Sequence, residues 1–133
     1  MISALIAQLQ SSPPTEGFWL AAARGELAIQ TCLVCGHEQH PPRATCGACG
    51  SSDLTFRAKS GRGNIYSFTV VVRALIAELR EQVPYVLVLV DLDDGPRVMS
   101  LLRSAPDEAH VGMAVQIAFE SVGGLTLPVF RRQ

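Results

Sequence analysis

A chain of 133 residues with 48% hydrophobic and 17% charged residues can bury roughly 65–70% of its unfolded surface around one core, which excludes long disorder. A formal net charge of −1 gives it no general electrostatic drive toward nucleic acid. The longest apolar run, residues 85–90, is too short to span a membrane, and residues 1–10 lack the basic start and cleavage pattern of a signal peptide. The expectation is a soluble cytoplasmic protein with reduced thiols.

Ile2, Leu5, Ile6 and Leu9 recur at helical spacing, so residues 2–10 predict a short amphipathic helix ended by Ser11-Ser12-Pro13-Pro14. Thr15 is placed to cap a second helix over residues 16–24, which Gly25 terminates. Phe18, Trp19 and Leu20 are adjacent in it and cannot share one helix face. Either all three pack within the chain, or at least one meets a partner.

Residues 26–31 read as a strand. It leads into the four cysteines of the chain, Cys32, Cys35, Cys46 and Cys49. They form two C-x-x-C pairs ten residues apart, each followed by glycine, Gly36 or Gly50. Two tight turns of two thiolates each supply the tetrahedral soft-ligand set that zinc takes, so the spacing predicts one closed, structural zinc site. Two disulfides are the alternative, which the absence of a secretory context disfavours. Pro41 and Pro42 stiffen the loop between the knuckles, and residues 54–58 return as a strand.

Beyond Gly61 the pattern is all β. Residues 64–72, 85–91, 97–102, 115–119 and 125–130 read as five strands, with residues 73–83 a short helix or a loop and 104–113 a polar connection. Asp93-Asp94-Gly95-Pro96 and Gly123-Gly124 are the turns. Five strands in about 70 residues suit a small closed barrel of the OB type. The fold class is mainly β, with an N-terminal helical segment over residues 1–28, a zinc ribbon over 29–58 and an OB-fold over 59–133. The strand at 85–90 is apolar on both faces, so its outer face must be covered by the N-terminal helices or by another protein.

Phe18-Trp19, Gly25-Glu26-Leu27, the two knuckles, Pro41-Pro42-Arg43, Ser60-Gly61-Arg62-Gly63, Pro84-Tyr85, Asp91-Leu92-Asp93-Asp94-Gly95 and Leu127-Pro128-Val129-Phe130 occur in this order. Over residues 15–130 the chain resembles the small acyl-CoA-associated proteins with a rubredoxin-like zinc ribbon and a C-terminal OB-fold. The resemblance implies a non-catalytic accessory subunit of a thiolase-like enzyme, whether thiolase, acyltransferase or side-chain aldolase, in a hetero-oligomer. Phe18, Trp19 and Tyr85 are the candidate partner contacts.

Thiolase chemistry needs a free cysteine nucleophile and a histidine base. All four cysteines are committed to zinc, and His37, His40 and His110 read as loop residues. The chain on its own is therefore expected to be no enzyme. Contact with coenzyme A requires cations for its phosphates. Residues 54–77 carry Arg57, Lys59, Arg62 and Arg73 without an acid, with Arg43 and His40 as further candidates. A merely solvated face is the competing reading, and the resemblance favours acyl-CoA contact. The alternative function is a nucleic-acid-binding zinc-ribbon/OB-fold protein. Tyr85 is the sole aromatic of its second and third barrel strands, which leaves little to stack on bases. No nucleic-acid partner and no membrane contact are expected.

Overall fold

A computed structural model describes Ala7 and residues 12–133; the helix expected over residues 2–10 falls, but for Ala7, outside them. The described chain opens with a 3-10 turn, Pro13–Thr15, running directly into helix α1 (Glu16–Ala23). Thr15 does not cap α1 with its side chain. Its hydroxyl donates instead to the Ser12 carbonyl at 3.0 Å, because the proline pair has already curled the entry. The exit follows expectation. Gly25 adopts φ +78°, the Gly25 N–H bonds the Ala22 carbonyl, and the Glu26 N–H bonds the Ala21 carbonyl, which is a Schellman motif.

Strand β1 (Leu27–Cys32) is the middle of a small antiparallel sheet, flanked by β2 (Glu38–Gln39) and β3 (Leu54–Lys59). The short β2 lies in what the sequence marks as a proline-stiffened loop. Its two residues pair with Gln30 and Thr31. All six residues of β1 are buried, the polar Gln30 and Thr31 among them.

Strands β4 (Arg62–Val71), β5 (Tyr85–Leu92), β6 (Arg97–Leu102), β7 (Ala114–Val122) and β8 (Leu125–Arg132) close into a barrel in the order β4-β5-β6-β8-β7. All pairs are antiparallel except β6 with β8, which meet in parallel at Leu102 and Phe130. Consecutive strands 1-2-3, then 5 beside 3, and 4 closing on 1, is the OB-fold arrangement. The segment between β4 and β5 holds a 3-10 stretch, Ala77–Gln82.

The inward residues of β5, Val86, Val88, Val90 and Leu92, alternate with Tyr85, Leu87 and Leu89 outside. They pack with Ile65, Val98, Val115 and Phe130 in a core that also takes Leu27 and Ile29 of β1 and, at its margin, Phe18 of α1. Helix, ribbon and barrel thus share one apolar cluster. Among the described residues no helix is long and apolar enough to cross a membrane.

Candidate metal centre and docking groove

The ribbon's two knuckles have the same construction. Each begins with a buried cysteine, Cys32 or Cys46, and presents an exposed one, Cys35 or Cys49. Gly36 at φ +78° and Gly50 at φ +77° turn the backbone so that their N–H groups bond the carbonyls of Cys32 and Cys46. The N–H groups of Val34 and Cys35 point at Cys32 Sγ at 3.4 and 3.5 Å, and that of Ala48 points at Cys46 Sγ at 3.3 Å.

All four sulfurs lie within 4.8 Å of one another, with Cys32···Cys49 and Cys35···Cys46 each at 3.6 Å. No disulfide joins them. A zinc ion at about 2.3 Å from each of four tetrahedral thiolates requires sulfurs about 3.8 Å apart, so the site fits the ion. Its electrostatics ask for a cation. The N–H of Cys49 brings Cys46 down to about 6 against burial, with help from the Ala48 N–H, and the N–H of Cys35 likewise lowers Cys32. The second thiol of each knuckle moves the other way. The Ser51 N–H lowers Cys49, but Cys32, burial and the other two thiols outweigh it and push Cys49 up to about 12. At Cys35 the N–H of His37 is similarly outweighed by burial and by Cys46. Four thiolates this close ionise together only around a positive charge. Such an ion would staple the two turns; four protein ligands leave no position for substrate.

The second feature is an apolar groove between α1, the inter-knuckle loop and the barrel. Phe18, Trp19, His40, Pro41, Met99 and Pro128 line a 230 Å³ hollow, joined by Thr15, Pro42, Ser100 and Leu127. His40, Pro41 and Met99 also face Leu89 and Arg97 across a neighbouring 340 Å³ hollow. Met99, 62% exposed, is shared with a third hollow at Phe68 and Leu87. The outer face of β5 is thus flanked at Leu89 by the proline loop. Beyond it the Arg97 guanidinium lies 3.3 Å over the Tyr66 ring and pairs with Asp91, which it holds below the usual carboxylate range against burial. Phe18 packs edge-on to Trp19 with centroids 5.0 Å apart and tilts against His40 at 5.4 Å. Burial pushes the His40 imidazole toward its neutral form.

Of the three large residues of α1, Phe18 turns to the core, Trp19 lines the groove half-buried, and Leu20 is 55% exposed. Tyr85 stands elsewhere, at the start of β5 beside Arg103 and Ser104. The candidate cations are also dispersed. Arg57 and Lys59 are on β3, where Lys59 pairs with Glu38 of β2. Arg62 opens β4 and donates to Gln116 at 3.1 Å. Arg73 lies past the other end of β4, where it and Arg80 line a 540 Å³ hollow with Val72, Leu75 and Val83. Met99 and the buried amides Gln30 and Gln39 escape sequence reasoning, since nothing in their spacing sets them apart.

Residues 19–55 match the ChsH2 rubredoxin-like zinc ribbon domain, and residues 57–120 match the ChsH2 C-terminal OB-fold domain. A DUF35 domain-containing scaffold protein of Methanothermobacter thermautotrophicus is 33% identical over 74% of this chain and 75% of its own length. The chain belongs to the DUF35 family of ChsH2-type zinc-ribbon/OB-fold proteins. Another relative, a probable enoyl-CoA hydratase alpha subunit of Thermomonospora curvata, is 39% identical over 86% of this chain. The chain spans about a third of that subunit's length, 36%. Among solved structures, the Ltp2-ChsH2(DUF35) aldolase contains a chain 35% identical, with a TM-score of 0.81 over 91% of this chain and 95% of that one.

Proposed function

We propose that this DUF35 chain is a non-catalytic accessory subunit of a thiolase-like acyl-CoA enzyme, which it stabilises and whose acyl-CoA binding it assists. One zinc ion on Cys32, Cys35, Cys46 and Cys49 serves as a structural staple. The observation that carries the reading is the groove centred on Met99. A methionine this exposed, between Trp19, Pro41 and Leu89, is the kind of adaptable apolar surface that partners bury. The likeness to the chain in the Ltp2-ChsH2(DUF35) aldolase supports an enzyme partner, and that to a probable enoyl-CoA hydratase alpha subunit supports acyl-CoA chemistry.

Trp19 is the anchor of that contact, Phe18 its support, and Tyr85 a second contact at the far end of β5. For the phosphates of coenzyme A the cations are unequal. Lys59 is already neutralised by Glu38, and Arg62 is held by Gln116. Arg73 beside Arg80 offers two guanidinium groups at one hollow, with apolar Val72 and Leu75 for the rest of the ligand, and we place the contact there. Arg57 is a peripheral contributor. The outer residues of β5 and β6 that would meet single strands are mainly aliphatic, Leu87, Leu89, Met99 and Leu101, which favours a protein partner over nucleic acid.

Co-expression with candidate thiolase-like enzymes of the same genome, followed by size-exclusion chromatography, tests the reading. A stable complex containing both chains supports it; separate elution of two intact proteins contradicts it.

A further inference from the structure

Between the four cysteines and the groove lie two buried amides that neither feature needs by itself. Gln30 of β1 and Gln39 of β2 are opposite one another in the sheet, 3% and 8% exposed. A buried amide is tolerated only when its donors and acceptors are met. Gln39 Nε2 donates to Gln30 Oε1 at 2.6 Å and to the Thr45 carbonyl at 3.1 Å. Gln39 Oε1 accepts the Gly47 N–H at 2.8 Å. Gln30 Oε1 also accepts the Arg43 N–H at 2.9 Å, and Gln30 Nε2 donates to the Arg43 carbonyl at 2.8 Å. Reversing either amide would set donor against donor, so the network fixes both orientations.

These bonds end on two structures. Gly47 and Thr45 flank Cys46, the first ligand of the second knuckle. Arg43 closes the loop whose His40, Pro41 and Pro42 form one wall of the groove. Pro41 and Pro42 have no N–H to donate, so this stretch has few backbone donors with which to fasten itself. Gln39 directly precedes His40, whose ring meets Phe18, which in turn meets Trp19. The path from the knuckle to the groove is therefore continuous: Gly47 N–H, Gln39 and Gln30, the His40 wall, Phe18, Trp19.

We infer that Gln30 and Gln39 are positioning residues that couple the four-cysteine site to the docking groove. With the thiolates gathered on an ion, the Gly47 N–H is held in place and the amides hold the proline wall against α1. When the knuckle loosens, the wall swings free and the groove loses its shape. Because coupling is reciprocal, whatever binds the shaped groove also tightens hold on the metal. That the groove receives an acyl-CoA enzyme rests on the function proposed above; the coupling itself does not.

Trp19 is the only tryptophan of the chain and forms part of the groove, so its emission reads groove shape directly. The experiment compares the full chain with Gln39→Leu and Gln30→Leu, each loaded with Co2+, whose visible spectrum reports the tetrahedral thiolate site. The expected result is an unchanged Co2+ spectrum in both variants, with Trp19 emission shifted to the red and more readily quenched by acrylamide. Gln39→Glu, which retains the acceptor for Gly47 but loses both donors, should fall between. An intact Co2+ spectrum with Trp19 emission and quenching identical to the parent in both variants overturns the inference. Should a variant fail to fold, the parent chain decides: sub-stoichiometric chelation must shift Trp19 emission in proportion to metal lost while barrel circular dichroism holds, and an unmoved Trp19 refutes the coupling. In the complex, chelator-driven zinc release should be slower than from the free chain. A Trp19 response without any complex leaves the coupling standing and removes only the docking reading.

Discussion

Arg103 and Glu120 form a two-pronged ion pair across β8, with Arg103 Nε 2.9 Å from Glu120 Oε2 and Nη2 2.8 Å from Oε1. Arg103 follows β6 and Glu120 lies on β7, so the pair bridges strands that are not neighbours, and Arg131 of β8 adds a weaker contact at 3.8 Å. The Arg103 hydrogen bonds hold the Glu120 carboxyl below its usual range, against burial and with Coulombic help from Arg103 and Arg131. A depressed carboxyl stabilises the fold fully above the unfolded pKa of about 4.3, and that share is lost as pH falls through the lower folded value. Glu120→Gln should cost about 1 kcal/mol at neutral pH, and its deficit relative to the parent should shrink below about pH 4. Urea titrations at pH 7 and pH 3.5 check both statements.

Gly61 sits at φ +77°, and a Cβ there would run into the Ile117 side chain. Its carbonyl meanwhile accepts the Ile117 N–H at 2.8 Å, so the backbone cannot back away. Gly61→Ala should destabilise the barrel by about 2–4 kcal/mol, the sum of left-handed strain and overpacking. Gly112→Ala, at φ +90° with open space around the added carbon, should cost only the strain, about 1–2 kcal/mol. Thermal unfolding of the two variants side by side measures the difference.

Metal analysis should find one zinc per chain, and removing it should undo the ribbon, because structural zinc contributes about 10–16 kcal/mol of apparent binding free energy. Cys46→Ser should abolish amide protection across residues 30–55 in hydrogen exchange. The barrel should survive with reduced stability, since Leu27 and Ile29 of β1 belong to its core. Retention of full ribbon protection in Cys46→Ser would refute the metal assignment.

The cysteine site was legible because it is written in spacing: four ligands, two knuckles, a glycine after each. The barrel was legible because short runs rich in β-branched and apolar residues, alternating at 115–119, are separated by turns that carry Asp-Gly and Gly-Gly. Asp94 shows how far that goes. The sequence marks it as a turn residue, and the structure adds that its carboxylate accepts the Ser60 N–H at 2.9 Å, tying the ribbon's exit to the β5–β6 hairpin. The groove and the amide pair were not legible. Gln30 is a polar residue within a strand, and its burial follows from the inter-knuckle loop, whose Arg43 backbone its amide bonds. The spacing of the candidate cations in space was not legible either. Arg62 and Arg73 are close in sequence, but the ten-residue strand β4 lies between them, and an extended chain of that length separates its ends by roughly 30 Å.

Trp19→Ala should weaken association with the partner by about 2 kcal/mol or more, as truncation of a central aromatic does. Met99→Asp should do the same by placing an unpaired charge in the groove centre, while leaving the stability of the free chain within about 0.5 kcal/mol because Met99 is exposed. Calorimetric titration of each variant into the purified partner gives the numbers, and unaltered affinity in both would move the interface away from this groove.

The most direct test is acyl-CoA turnover by a thiolase-like enzyme that co-purifies with this chain, measured with and without it, beside the chain by itself. The predicted result is no turnover by the isolated chain, low or short-lived turnover by the enzyme alone, and restoration when the two are combined. Full and equally lasting activity of the enzyme alone, or turnover by this chain without a partner, would contradict the account.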